Sequence, residues 1–232
     1  MSETFTHKFG GWREAEARRW TNPDGTEGGI VAVSAKVDPS VTIPADAVVW
    51  PDAIISKDAS IGYGTSIGDG TSIGDGTSIG DGTSIGYWTS IGDGTSIGDG
   101  TSIGDGTRIG DGTSIGDGTS IGYWTSIGDG TRIGDGTSIG DGTVYEDGDW
   151  LFVAGPQGSR NAFATAVYSP KHGLRWWIGC QHGISTDVLR ARIQNEHAGT
   201  DHEADYLHLI YTVENHPGLS RVIAKSKLET AQ

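Results

Sequence analysis

A branched apolar residue recurs at every sixth position through the middle of the chain. Isoleucine holds this position in fourteen consecutive copies of Ile-Gly-Asp-Gly-Thr-Ser, or close variants of it, from Ile61 to Ile139. The same register continues upstream in unlike sequence, at Val31, Val37, Ile43, Val49 and Ile55. Nineteen hexads therefore run from residue 31 to residue 144. So strict a period indicates a repeat architecture.

Strand alternation predicts which residues of each hexad are buried. In an extended Thr-Ser-Ile segment, the first and third side chains point to one face and the middle one to the other. Because isoleucine must be buried, threonine is predicted to face inward and serine outward. Arg108 and Arg132 replace serine in two copies, and a long charged side chain fits only a slot that faces solvent.

The Gly-Asp-Gly triplet predicts a tight corner, because glycine adopts positive φ without a steric penalty and aspartate tolerates it. Short strands joined by such corners make a solenoid, and three hexads would close one triangular coil. Coils would stack about 4.8 Å apart. Each buried isoleucine contributes about 1.5–3 kcal/mol, so the stack of coils is stable although a single coil is not.

The pattern [LIV]-G-x-x-[STAV]-x resembles that of the hexapeptide-repeat proteins, typified by UDP-N-acetylglucosamine acyltransferase. The resemblance covers residues 31–144. It implies a mainly β fold, a left-handed parallel β-helix with three hexads per coil, and assembly as a homotrimer. Many members of the family are acyltransferases. The near-identity of the copies indicates recent duplication or consensus engineering between natural-looking ends.

The two ends of the chain differ from the hexads. Residues 1–30 are predicted to form an N-terminal cap, in which ARRW, NPDGTEGG and IVAV read as strand, turn and strand. Residues 145–232 are predicted to form a small C-terminal α/β domain of three strands and then three helices. The strands are WLFVAG, NAFATAVYS and LRWWIGC.

Capping signals mark the predicted helices. Ser185 or Thr186 would cap the first helix. Thr200 and Glu203 match a capping box at the start of the second, which would end at Pro217 and Gly218. A third helix would follow.

Composition narrows the range of partners. A net charge of −14 argues against binding to nucleic acid or to anionic membranes. The single cysteine, Cys180, cannot form an internal disulfide and fits a reducing compartment. No segment is typical of a signal peptide or a spanning helix, and a cytoplasmic location is predicted.

The enzymes of this family resemble one another in a histidine on a coil that acts as general base. The seven histidines of this chain all lie outside the hexads: His7, His172, His182, His197, His202, His208 and His216. We therefore interpret the chain first as a non-catalytic structural scaffold, with no catalytic, cofactor or metal site. The alternative is an acyltransferase-like enzyme whose site lies at a subunit interface or in the C-terminal domain.

Three further features carry candidate chemistry. Tyr87–Trp88 and Tyr123–Trp124 lie two coils apart on one corner and form a packing edge or a ligand edge. The corner aspartates are solubilising turn residues or a ladder that binds cations weakly. A further alternative is an ice-binding surface on the hexads, although the threonines of such a surface would have to face outward. Cys180 and His182 are weak candidates for a nucleophile pair or a metal site.

Overall fold

The computed structural model describes four stretches of the chain: residues 3–146, 149–157, 162–178 and 181–229. It divides into two compact units, Met1–Thr137 and Ser138–Gln232. No helix among the described residues is both long and apolar enough to cross a membrane.

The first unit begins with three antiparallel strands, β1 (Thr4–Phe9), β2 (Arg13–Thr21) and β3 (Glu27–Ala32). Strand β2 pairs with both of the others. The predicted strand, turn and strand correspond to β2 and β3, whereas β1 was not recognised in the sequence. Strand β3 also joins the first sheet of the solenoid.

Each hexad strand that follows is two residues long. In chain order these strands are β4 (Lys36–Val37), β5 (Val48–Val49), β6 (Ile54–Ile55), β7 (Ser60–Ile61), β8 (Ser66–Ile67), β9 (Ser72–Ile73), β10 (Ser78–Ile79), β11 (Ser84–Ile85), β12 (Ser90–Ile91), β13 (Ser96–Ile97), β14 (Ser102–Ile103), β15 (Arg108–Ile109), β16 (Ser114–Ile115), β17 (Ser120–Ile121), β18 (Ser126–Ile127) and β19 (Arg132–Ile133).

Successive hexads contribute to three different sheets. Within this unit the sheets run β1-β2-β3-β5-β8-β11-β14-β17, β4-β6-β9-β12-β15-β18 and β7-β10-β13-β16-β19. Pairing is parallel and in register, with Ser78 opposite Ser96 and Ile79 opposite Ile97. The predicted coil of three hexads and the parallel β-helix are therefore confirmed.

The interior follows the predicted alternation. Ile73 and Thr71 are fully buried, while Arg108 is exposed. Many of the buried threonine hydroxyls bond to the backbone: Thr71 donates from Oγ1 to the carbonyl oxygen of Gly86 at 2.9 Å, although Oγ1 of Thr131 has no partner among the described residues. The Thr71 bond crosses to the next coil, so threonine combines an inward methyl group with a hydroxyl that joins neighbouring coils.

The second unit begins with two short strands, β20 (Ser138–Ile139) and β21 (Val144–Tyr145), and continues with a mixed α/β fold. Its longer elements are β22 (Trp150–Gln157), β23 (Ala162–Ser169), β24 (Gly173–Ile178), β25 (Gln181–Ser185), α1 (Thr186–His197), α2 (Asp201–Glu214) and α3 (Pro217–Glu229). Strands β22 to β25 form one antiparallel sheet in chain order. The small α/β domain is confirmed, although it has a fourth long strand, β25, that the sequence did not predict.

The helix caps follow the prediction in part. Ser185 caps α1, accepting a hydrogen bond from the backbone N–H of Val188. The capping box at α2 does not form, because the Thr200 hydroxyl donates to the carbonyl oxygen of His197 instead. Pro217 begins α3 rather than ending α2, since a residue without an N–H and with φ fixed near −65° suits the first turn of a helix.

Candidate functional site

The four-stranded sheet of the second unit has two chemically different faces. Alternation along β24 places Trp176 and Ile178 in the hydrophobic core with the helices. The intervening residues Gly173, Arg175 and Trp177 therefore lie on the opposite face. Cross-strand pairing adds Ser169, which lies opposite Gly173. Among the described residues, the core cluster with the helices does not include this second face; part of it packs against the start of the unit, where the N–H of Gly140 donates to Oγ1 of Thr165.

A cavity of about 430 Å³ lies on this second face. The residues of its wall that carry chemistry are Glu146, Asp149, Ser169, His172, Arg175 and Trp177. Its volume falls within the range of small-molecule sites, roughly 300–1,000 Å³. A mostly apolar surface with a few converging polar groups is the usual composition of such a site.

Backbone hydrogen bonds fix two parts of the wall. The N–H of Glu146 donates to Oδ2 of Asp149 at 3.1 Å, which holds the two acidic residues together. The N–H of His172 donates to Oγ of Ser169 at 3.1 Å, which fixes the turn between β23 and β24. The imidazole of His172 is thereby presented from a short hairpin turn.

Burial raises the pKa of Asp149 above its usual value. The hydrogen bond from the N–H of Glu146 opposes this effect, the negative charge of Glu146 adds to it, and the charge of His172 opposes it. The shifted pKa in this cavity is thus that of Asp149. A carboxyl group with a perturbed pKa in a cleft is a candidate functional group.

The side chains that line this cavity are suited to acid–base chemistry. An imidazole near carboxylates can accept a proton from a bound nucleophile, and the carboxylates stabilise the imidazolium that forms. The Arg175 guanidinium can hydrogen-bond an oxygen that gains negative charge. Trp177 provides an apolar wall. Sequence analysis missed this group because its members come from a loop, a turn and a strand; the charged Arg175 within the apolar run LRWWI was the one available signal.

Of the pair predicted as weak candidate chemistry, Cys180 lies outside the described residues. His182 is exposed, and its Nδ1 lies 2.8 Å from the carbonyl oxygen of Asp141. The structure therefore gives His182 a backbone partner, and the proposed nucleophile pair stays a prediction.

The two aromatic pairs have different surroundings. The Tyr87 ring lies 5.1 Å from that of Trp50 and 6.1 Å from that of Trp12, measured between centroids. Tyr87 therefore packs against the N-terminal hairpin and the coil that follows it. Tyr123, two coils further along, is 52% exposed.

Trp88 and Trp124 are more exposed than either tyrosine, at 68% and 70%. Both have positive φ, 58° and 57°, because they occupy the corner position that glycine holds in the other hexapeptide copies. Tyr87 thus has aromatic neighbours while the two indoles lie at the surface, and the packing or ligand edge stays a prediction.

The corner aspartates mainly serve as hydrogen-bond acceptors. Oδ1 of Asp111 accepts from the backbone N–H of Asp93 at 2.9 Å, and Oδ1 of Asp117 accepts in the same way from Asp99. Within the described part of the chain, no three His, Cys, Asp or Glu side chains are grouped to hold a metal ion.

Comparison with known families matches the repeats. Residues 76–111, 89–123 and 112–144 fit the family described as bacterial transferase hexapeptide, six repeats. The repeat region belongs to the bacterial transferase hexapeptide family. The five hexads from residue 31 to residue 60 keep this register in unlike sequence.

Solved structures of hexapeptide proteins are similar to about half of this chain at low identity. Perosamine N-acetyltransferase from Caulobacter crescentus is 24% identical over 50% of this chain and 51% of its own, with a TM-score of 0.34. A hexapeptide transferase family protein from Anaplasma phagocytophilum is 24% identical over 55% of this chain and 74% of its own, with a TM-score of 0.42. UDP-N-acetylglucosamine acyltransferase from Francisella novicida is 24% identical over 50% and 54%, with a TM-score of 0.31. The match spans about half the length of the first and third proteins. No curated protein matches significantly.

The prediction that the chain is not an enzyme is wrong, because the hexapeptide family to which its repeats belong is a family of transferases. The absence of a coil histidine excludes one position for a general base, but it does not exclude the transferase class. The interpretation as a structural protein with engineered repeats has no support from these comparisons.

Proposed function

We propose that this chain is an acyltransferase-like enzyme of the hexapeptide class, with its reacting groups in the cavity of the second unit. One observation carries the proposal: His172 faces the same cavity as Asp149 and Glu146, in a chain whose repeats belong to a transferase family. The hexads contain no histidine, so a histidine base has to come from outside them.

The cavity residues account for each step of acyl transfer from a thioester. His172 takes a proton from an amine or hydroxyl group as its nitrogen or oxygen attacks the thioester carbonyl carbon. Arg175 stabilises the negative charge on the carbonyl oxygen of the tetrahedral intermediate. The carbon–sulfur bond then breaks, and the sulfur leaves as a thiol with the proton from the imidazolium. The products are an amide or ester and the free thiol.

Asp149 and Glu146 act on His172 rather than on the substrate. Their negative charge favours the imidazolium that forms while the nucleophile attacks. Acetyl-CoA is the donor to test, since CoA is the ligand named for the perosamine N-acetyltransferase structure.

Calorimetry with acetyl-CoA, followed by an assay of thiol release with glucosamine as acceptor, tests this function. We expect saturable binding, and we expect His172→Gln to lower the rate of thiol release by about 100-fold or more while acetyl-CoA still binds. His208→Gln is the matched control, because His208 is an exposed histidine on α2 outside the cavity. No saturable binding of acetyl-CoA, or equal loss in the two variants, contradicts the proposal.

We also propose that the chain assembles as a homotrimer, as its resemblance to the hexapeptide proteins implies. Light scattering is then expected to give three times the mass of the 24.3 kDa chain. A mass equal to one chain contradicts this assembly.

A further inference from the structure

Trp88 and Trp124 are placed at the surface at some energetic cost. Their φ values of 58° and 57° lie in the left-handed region, which is unfavourable for bulky residues. Both indoles also leave about two thirds of their surface in water. Strain and exposure of a large apolar side chain, repeated at the same position of one corner, are typical of a binding surface.

Each indole lies flat on the glycine one coil before it. A Cβ atom added to Gly70 would lie 2.8, 3.0 and 3.3 Å from Cε3, Cζ3 and Cδ2 of Trp88. Three neighbouring ring atoms at such similar distances indicate that the ring face, rather than its edge, covers the glycine. The same three atoms of Trp124 cover Gly106 in the same order. The opposite face of each indole is therefore the exposed one.

The exposed faces of the two indoles form two aromatic platforms at a fixed spacing. Residues 88 and 124 are two coils apart on one corner, so the rings lie about 9.6 Å apart along the stack. They also have the same orientation, because both cover the glycine of the preceding coil. The surface is thus a row of two flat aromatic platforms with a period of two coils.

An extended β-1,4-linked glycan matches this row. Its pyranose rings present apolar C–H faces that stack on indoles, and every second ring presents the same face, at a repeat close to two coil heights. Asp105 occupies the same corner on the coil between the platforms, and a carboxylate accepts hydrogen bonds from sugar hydroxyls.

The negative charge of the protein favours a neutral glycan over an anionic one. The chain carries a net charge of −14, and aspartate occupies most of the corners beside the two indoles. A polyanionic chain is repelled by such a surface. We propose that Trp88 and Trp124 form a binding surface for an uncharged β-1,4-linked glycan chain, each indole stacking under every second sugar ring. This surface lies in the first unit and is separate from the cavity that carries the proposed acyl transfer.

Calorimetry with cellohexaose tests the proposal. Trp88→Gly and Trp124→Gly restore the corner that the other copies have, so both variants are expected to fold. Each is expected to weaken binding about tenfold, the order of one aromatic stacking contact, and the double variant to abolish it. Cellobiose, which is too short to span both indoles, is expected to bind more weakly than cellohexaose.

Tyr63→Ala is the matched control, because Tyr63 is an aromatic residue of similar exposure, 66%, on a different corner. Its binding to cellohexaose is expected to be unchanged. Failure of the wild-type protein to bind cellohexaose, or an equal loss in the Tyr63 variant, overturns the proposal. A lower mass of the double variant in light scattering overturns it too, because the edge would then be a contact between copies of the chain.

Discussion

Asp75 donates its backbone N–H to Oδ1 of Asp93, one coil further along, at 2.8 Å. The bond recurs from Asp81 to Asp99 at the same distance. The side chains of many corner aspartates therefore accept a hydrogen bond from the backbone of the coil before them; Asp69 is an exception. Because the acceptor is charged, such bonds are stronger than those between neutral groups. Aspartate is thus a structural residue of the corner as well as a solubilising one.

Removing one acceptor from this ladder should destabilise the solenoid. Asp93→Ala leaves the N–H of Asp75 without its partner, and we expect unfolding to become easier by about 1 kcal/mol. Asp93→Asn keeps a carbonyl oxygen as acceptor and should lose less. Urea unfolding of both variants measures the difference, with Ser90→Ala in an exposed slot as control. An asparagine variant as unstable as the alanine variant contradicts this role.

The ion pair between Arg13 and Asp69 should hold the N-terminal hairpin on the solenoid. Asp69 is buried and forms an ion pair with Arg13, while neither carboxylate oxygen has a hydrogen-bond partner among the described residues. Arg13→Met therefore leaves a buried charge unpaired, and we expect a loss of about 3 kcal/mol. The double variant Arg13→Met, Asp69→Asn should recover much of it. Urea midpoints of the three proteins test this coupling, and equal loss in the single and double variants contradicts it.

The two corner tyrosines should differ in their effect on stability. Tyr87 packs against Trp12 and Trp50, whereas half of the Tyr123 surface is exposed. Since the two residues have the same immediate neighbours in sequence, each serves as a control for the other. We expect Tyr87→Ala to lower the free energy of unfolding by about 1 kcal/mol more than Tyr123→Ala does. Equal urea midpoints for the two variants would contradict the packing role of Tyr87.

The raised pKa of Asp149 predicts a pH-dependent stability. Burial penalises the ionised carboxylate, so the folded state binds a proton more tightly than the unfolded state does. The contribution of this group to stability is then favourable at low pH and is lost as pH rises from its ordinary value of 3.8 through its folded pKa. Asp149→Asn removes this ionisation. Its melting temperature relative to wild type should therefore rise from pH 3 to pH 7.

The helical far-UV signal measures this melting, because the helices α1 to α3 lie in the second unit. Asp205→Asn, at an exposed carboxylate on α2, is the control and should show no such rise. A constant difference between the Asp149 variant and wild type across this pH range would contradict the effect.

The local sequence pattern was sufficient to predict the solenoid, but it did not predict the cavity of the second unit. Burial of Ile73 and Thr71 follows from alternation within three residues, and the coil follows from a six-residue period. The acceptor role of Asp93 could not be read from the period, because its partner lies 18 residues away and the bond depends on how coils stack. The threonine bonds between coils were missed for the same reason.

The second unit has no repeat, so each of its elements had to be predicted from a short signal. The cap of the first helix was narrowed to Ser185 or Thr186, because a cap and its partner, here Val188, are only three residues apart. Strand β25 was missed, since its pairing with β24 is tertiary and its sequence lacks alternation. The cavity was missed because Glu146 and His172 come together only through the sheet, and no local pattern links two residues so far apart.

The uniform coils also have a consequence for the length of this molecule. Removing or duplicating one block of 18 residues, the offset of the Asp75–Asp93 bond, among the identical hexads would leave every neighbour as it was. Genetic deletion or duplication of 18 residues can therefore shorten or lengthen the solenoid by one coil at a time. The identical hexads carry no sequence difference that distinguishes one coil from another. The positions that differ from the repeat, among them Trp50 and Tyr87, are the ones that distinguish one coil from the next, and their contact with each other fixes which coils become neighbours.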